Sequence, residues 1–136
     1  DVLFPPPKSN TYEAVLLNDI ARVVVCQTSD TMVANKLVAV WDRYQKYQTV
    51  AGRDLYDIHA YLLKGLGYND AVILERTSKN PKNYFVELIA LVDKQFTQKV
   101  IDQDLNHLLP VLEFQRIRQI LKPELLMLLK DELKRM

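Results

Sequence analysis

Apolar positions change their period once along this chain, and the change divides it in two. Residues 11–17 and 22–27 are short runs rich in β-branched, aromatic and other apolar side chains. Asn18-Asp19 lies between them with turn chemistry, so the pair predicts a β-hairpin. Two strands alone are marginal in water. The hairpin must therefore lean on helices or extend a sheet that lies outside this chain. Pro5-Pro6-Pro7-Lys8-Ser9-Asn10 ahead of it reads as an extended, polyproline-like lead-in.

From Ser29 onward the apolar period becomes 3.6. Ser29 or Asp30 can cap a helix running to about Tyr47, with Met32, Val33, Leu37, Val40, Trp41, Tyr44 and Tyr47 on its apolar side. Residues 48–52 read as a loop. Residues 53–64 predict a second helix with Leu55, Ile58, Leu62 and Leu63 inward, and Gly65 and Gly67 suit its exit. A short helix over 70–76 follows. Asn80 caps the next helix, with Pro81 at its first position, where a proline lacks no needed donor. Phe85, Leu88, Ile89, Val92 and Phe96 form its buried stripe. Residues 97–108 and 111–120 continue the pattern around Pro110, and Lys122-Pro123 opens a last helix bearing Leu125, Leu126, Leu128 and Leu129. The predicted fold class is α+β, mostly α, with an N-terminal β-hairpin followed by a helical bundle.

Composition narrows the possible functions. A chain of 136 residues argues for one domain and needs no disulfide to fold. Its single cysteine, Cys26, can make none internally. Lys and Arg number 18 against 17 Asp and Glu, so no global field recruits nucleic acid or an anionic membrane. Any such contact must be a local patch. No apolar run approaches the roughly 18 residues of a membrane span. The opening residues are not a signal peptide, having neither a basic region nor a long apolar stretch. They also lack an initiator Met, so the expectation is that either something has been removed or the chain is a piece of a longer protein.

Most catalytic patterns fail on spacing. Cys26, His59 and His107 are the only soft metal ligands, and no pair has zinc-ligand spacing. A lone Cys26 in a strand run reads as a small core residue. No G-x-S-x-G, Walker-type or dinucleotide-binding glycine motif occurs, and Gly65-Leu66-Gly67 is explained as a helix exit. Asp102-Gln103-Asp104 could share a metal on a strand. On a helix the two carboxylates point about 200° apart, so a solvated face is the expected reading.

Residues 30–64 are the richest segment. Lys36 and Arg43 are seven apart and lie almost one above the other on their helix, with Lys36 at the border of the apolar face. The next helix opens Arg53-Asp54-Leu55-Tyr56-Asp57, which puts both carboxylates on one face. Two readings stand side by side. In one, Asp54 is a helix cap, Arg53 and Asp57 form a surface ion pair, and Lys36 is a border lysine. In the other, Lys36, Asp54 and Asp57 converge on a phosphate and its metal between two packed helices. Lys36 lies roughly 16 Å of helix rise before the turn at Tyr47. Straight antiparallel helices would therefore keep it from touching Asp54 or Asp57. The expected arrangement is one cleft bridged by a ligand, without a salt bridge.

Thr28-Ser29-Asp30-Thr31-Met32-Val33-Ala34-Asn35-Lys36-Leu37-Val38-Ala39, followed by Gly52-Arg53-Asp54-Leu55-Tyr56-Asp57-Ile58, resembles the AbiEii/AbiGii-type nucleotidyltransferase toxins. The shared pattern is an A-x-K-L-x-A helix, a polar loop and an R-D-x-x-D-L/I helix start. The triple proline and hairpin follow the same order of parts, and the resemblance covers residues 1–65. It implies the C-terminal part of a polymerase-β-like nucleotidyltransferase, in which residues 1–28 complete a sheet absent from this chain and residues 29–136 form the helical domain. By the same resemblance, Lys36, Asp54 and Asp57 are catalytic, and Lys36, Arg43 and Arg53 bind nucleotide. Asn35 stands where the family often has an acid.

The implied reaction moves a nucleotide from an NTP to an acceptor with Mg²⁺, in a toxin–antitoxin or phage abortive-infection system of the cytoplasm. NTP, an RNA acceptor and an antitoxin protein are the implied partners, with no membrane. The family's G-S loop and strand-borne D-x-D precede this part and do not occur here. No metal ligand set is therefore expected within the chain, and the chain alone should be inactive. The competing function is a non-catalytic helical module that binds protein or RNA.

Overall fold

The computed structural model describes residues 5–17 and 22–136. The chain runs β1 (Tyr12–Leu17), β2 (Arg22–Gln27), α1 (Ser29–Tyr47), α2 (Gly52–Leu63), α3 (Asp70–Thr77), α4 (Pro81–Gln95), α5 (Gln98–Leu105), α6 (Val111–Ile117) and α7 (Leu121–Lys134). This is the mostly α fold that the period change predicts. β1 and β2 pair antiparallel, in register from Tyr12 opposite Gln27 to Leu17 opposite Arg22. The Asn18-Asp19 turn lies outside the described residues.

The core forms where the helical stripes meet. Val33, Leu37 and Val40 of α1, Leu55 and Ile58 of α2, Phe85, Leu88 and Val92 of α4, and Leu121, Leu125 and Leu129 of α7 are all buried. α7 packs against both α2 and α4, α3 packs on α1, and α5 packs on α2. Tyr84 is buried in α4 and donates its hydroxyl to the Leu37 carbonyl at 2.6 Å. Burial pushes its phenol far above the usual tyrosine range.

Several expected inward residues face out. Tyr47, the last residue of α1, is 69% exposed. Leu63 ends α2 about 100° around the wheel from the buried Leu62 and is exposed. Met32 also lies outside the core. Cys26 is exposed, not a core residue, because β2 belongs to a two-stranded sheet. The residue at the cap position of α1 is Thr28, not Ser29 or Asp30; Asp30 lies within the first turn, where its carboxylate accepts from the Thr31 amide at 2.8 Å.

The Asp102-x-Asp104 carboxylates do diverge, but neither is merely solvated. Asp102 pairs with Arg118 at 2.5 Å. Asp104 accepts the Gly52 N–H at 2.6 Å, so α5 supplies the cap that Ala51 cannot. A Cβ on Gly52 would lie 3.1 Å from the Asp104 Cβ. That close approach gives the glycine at the start of α2 its structural role.

Polar contacts fasten the lead-in to the helices. The Thr11 amide donates to Thr31 Oγ1 at 3.0 Å, and Asn69 Nδ2 donates to the Ser9 carbonyl at 3.1 Å. Glu75 accepts the backbone N–H groups of Lys8 and Ser9, each at 2.7 Å, and the Ser9 hydroxyl at 2.6 Å. The Ser9 hydroxyl first, then those two amides, hold the Glu75 carboxyl below the usual range. The unfolded chain therefore takes up this proton more readily than the folded one. The stabilisation is present above the ordinary glutamate pKa and is lost as pH falls through the lowered value. Nuclear magnetic resonance should show the Lys8 and Ser9 amides titrating together, with a midpoint below the ordinary glutamate range. Glu75→Gln should abolish that titration.

Candidate functional site

A single face of α1 makes the floor of the main cleft. Met32, Asn35, Lys36, Ala39 and Arg43 recur at intervals of three and four, so they share one side of the helix. Met32 is turned out of the core because this face opens to the cleft instead of being covered. One wall comes from α2, with Arg53, Asp54 and Tyr61. The other comes from Pro6, Pro7 and Asn10 of the lead-in, with Tyr12 and Gln27 of the hairpin and Arg76 of α3. The enclosed volume is about 670 Å³, within the usual size of a small-molecule site.

The acids and bases meet directly, against the expectation that only a ligand would bridge them. Lys36 Nζ lies 3.6 Å from Asp54 Oδ1 and 3.1 Å from Asp57 Oδ2, and Arg43 Nε lies 3.6 Å from Asp54 Oδ2. The expectation counted helix rise from Tyr47. In the fold, the 48–51 loop brings the first turn of α2 back beside the middle of α1. Asp54 then stands between Lys36 and Arg43, and their long side chains cover the two turns that separate them.

Asp54 is 4% exposed and caps nothing with its side chain. Its carboxylate instead holds two cations at the floor. The anticipated Arg53–Asp57 pair does not form. Asp57 turns to Lys36, and the exposed Arg53 makes no ion pair among the described residues. Arg43 Nε is buried without a hydrogen-bond partner among the described residues. Asp54 Oδ2, 3.6 Å away, is too far for a hydrogen bond.

Two further groups complete the site. Arg76 donates to the Asn35 carbonyl at 3.2 Å and to Asn35 Oδ1 at 3.0 Å, and pairs with Asp42 at 2.6 Å. Asn35 Nδ2 donates to Asn10 Oδ1 at 2.9 Å. The amide at position 35 thus accepts from α3 while donating to the lead-in. An ionised acid could accept but could not donate, which accounts physically for the residue found there.

Four cations line the cleft beside one carboxylate, with Asp42 and Asp57 behind them. Such a site suits an anion with several oxygens. The described residues contain no cluster of three His, Cys, Asp or Glu side chains that could hold a metal ion. Asp54 and Asp57 face Lys36 and Arg43. Among the described residues, no helix is long and apolar enough to cross a membrane.

Neither a curated protein nor a solved structure matches this chain. The family model described as "Nucleotidyl transferase AbiEii toxin, Type IV TA system" does match, over residues 1–125. The match runs well beyond residue 65, through α6 and into α7. It takes in the cleft floor, both walls and most of the helical bundle, and the chain accordingly belongs to the AbiEii nucleotidyl transferase toxin family.

Proposed function

We propose that this chain supplies the phosphate-binding side of a nucleotidyl-transfer site. The observation that carries the reading is the convergence of Lys36, Arg43 and Arg53, from two helices, on one cleft, with the buried Asp54 holding two of them. In the proposed reaction an acceptor oxygen attacks the α-phosphorus of an NTP and pyrophosphate leaves. Catalysis of such a step is mainly positioning and stabilisation of charge on the phosphate oxygens. Lys36, Arg43 and Arg53 would take the charge that gathers on the departing pyrophosphate. Arg76 closes the cleft nearby. Asp54 acts through Lys36 and Arg43 and is a positioning residue. Asp57 has the same relation to Lys36.

The reading assigns Mg²⁺ to carboxylates outside this chain. It also treats residues 1–28 as extending a sheet outside the chain, next to the helical domain of residues 29–136. The exposed apolar Leu16 and Val25 on the two strands leave hairpin surface for a neighbouring part of the protein to cover. An RNA acceptor, a partner antitoxin and a cytoplasmic setting where NTPs are plentiful belong to the same proposal.

Calorimetric titration of the purified chain with ATP and with inorganic tripolyphosphate tests it. Both should bind, and added salt should weaken both. The chain alone should transfer no labelled nucleotide from any NTP with Mg²⁺ or Mn²⁺. Failure to bind tripolyphosphate would remove the phosphate site. Binding of an RNA without binding of NTP would favour a non-catalytic module. Metal-dependent labelling by the isolated chain would mean that the catalytic acids lie within it.

A further inference from the structure

The cleft has two walls of different chemistry, and the phosphate reading uses only one of them. Apart from Arg76 of α3, the hairpin side carries no charge: Pro6, Pro7 and Asn10 line it with Tyr12 and Gln27. Tyr12 and Gln27 are directly opposed partners in the antiparallel ladder. Opposed residues project to the same face of a hairpin, so a ring and an amide stand side by side at the cleft.

The ring is held in place. Asn10 Nδ2 donates to the Tyr12 hydroxyl at 3.4 Å, Asn35 donates to Asn10, and Arg76 donates to Asn35. One chain of hydrogen bonds thus joins the hairpin wall to a cation of the cleft. Asn10 and Asn35 are occupied by these contacts. The Gln27 amide makes no hydrogen bond among the described residues, which leaves a donor and an acceptor for a ligand edge.

We propose that this wall is the nucleoside subsite, with Tyr12 stacking on the base of the NTP and Gln27 reading its edge. The assignment rests on the phosphate reading of the opposite wall. Aromatic stacking is indifferent to which base is present, because every base has a π-face. An amide that can donate and accept is not indifferent, because the bases differ in edge pattern. Tyr12 should therefore set affinity, and Gln27 should set preference.

Titrations of the chain with ATP, GTP, CTP, UTP and tripolyphosphate separate these roles. Tyr12→Ala should weaken every NTP about tenfold or more and leave tripolyphosphate within about twofold. Tyr12→Phe should keep most of the affinity. Gln27→Ala should narrow the spread among the four NTPs. Tyr12 is half exposed and outside the core, and the unchanged tripolyphosphate affinity serves as the control for folding. Equal loss of NTP and tripolyphosphate binding in Tyr12→Ala, or no loss of either, overturns the subsite. Equal affinity of the unaltered chain for all four NTPs overturns the role of Gln27. If the unaltered chain ignores tripolyphosphate yet binds NTPs through Tyr12, the phosphate reading falls and the nucleoside subsite stands.

Discussion

Asp54→Ala is expected to lower the unfolding free energy by about 2–4 kcal/mol, several times the effect of Asp57→Ala. Removing one partner of a fully buried ion pair typically costs about 3–5 kcal/mol, because a charge is left without compensation. Asp54 meets the burial condition, with 6% of its side chain exposed, whereas Lys36 and Arg43 each keep 30%. Water can reach those cations after the substitution, which brings the cost below that of a closed pair. Asp57 has 33% of its side chain exposed, so its pairing with Lys36 should be worth at most about 1 kcal/mol. Urea unfolding of the two variants, compared at equal m-value, measures the difference. Equal costs would mean that Asp54 does not anchor the two cations. The order also bears on function, because a cleft floor that depends on Asp54 loses its arrangement of cations when Asp54 is lost.

Helical spacing made one half of this site legible and left the other half dark. Lys36 and Arg43 are seven apart, and Asp54 and Asp57 are three apart, so the wheel alone put each pair on one face. Spacing says nothing about how two helices approach. The salt bridges of Lys36 run against the straight antiparallel pairing that a short loop suggests, because the 48–51 loop brings the first turn of α2 beside the middle of α1. Arg76, Asn10 and Tyr12 were missed for a different reason. They reach the cleft through side-chain locks such as Thr11 on Thr31 and Ser9 on Glu75, and these contacts have no period and no fixed separation. Gly52 did carry a signal. A glycine at the first position of a helix, without a capping residue before it, suggests that another element approaches closely, and Asp104 does. Cys26 and Met32 were expected inside because apolar residues in regular elements usually are. In both cases the element has a face that the core does not cover.

Charge balance at the floor gives the clearest separation of roles. Lys36→Ala should weaken tripolyphosphate binding to the chain at least tenfold, about 1.4 kcal/mol. It removes a charge-assisted contact of about 1.5–3 kcal/mol. It also leaves Asp57 without its cation and Asp54 with Arg43 alone, so negative charge is uncovered beside the ligand. Arg53→Ala should cost less, because Arg53 is exposed and its removal uncovers no carboxylate. Asp57→Ala should leave binding unchanged or raise it, since it frees Lys36. Transfer by the complete protein should order the variants differently. Lys36→Ala and Asp57→Ala should each reduce it at least tenfold without unfolding, the first because the cation is gone and the second because an unrestrained lysine is no longer held where the transition state needs it. Far-ultraviolet circular dichroism checks the fold of each variant, and a pH profile of transfer for Asp57→Asn against Asp57→Ala separates lost charge from lost positioning. Full transfer activity in Asp57→Ala would reduce that residue to a surface ion pair. Unchanged tripolyphosphate affinity in Lys36→Ala would move the phosphate site away from the floor of α1.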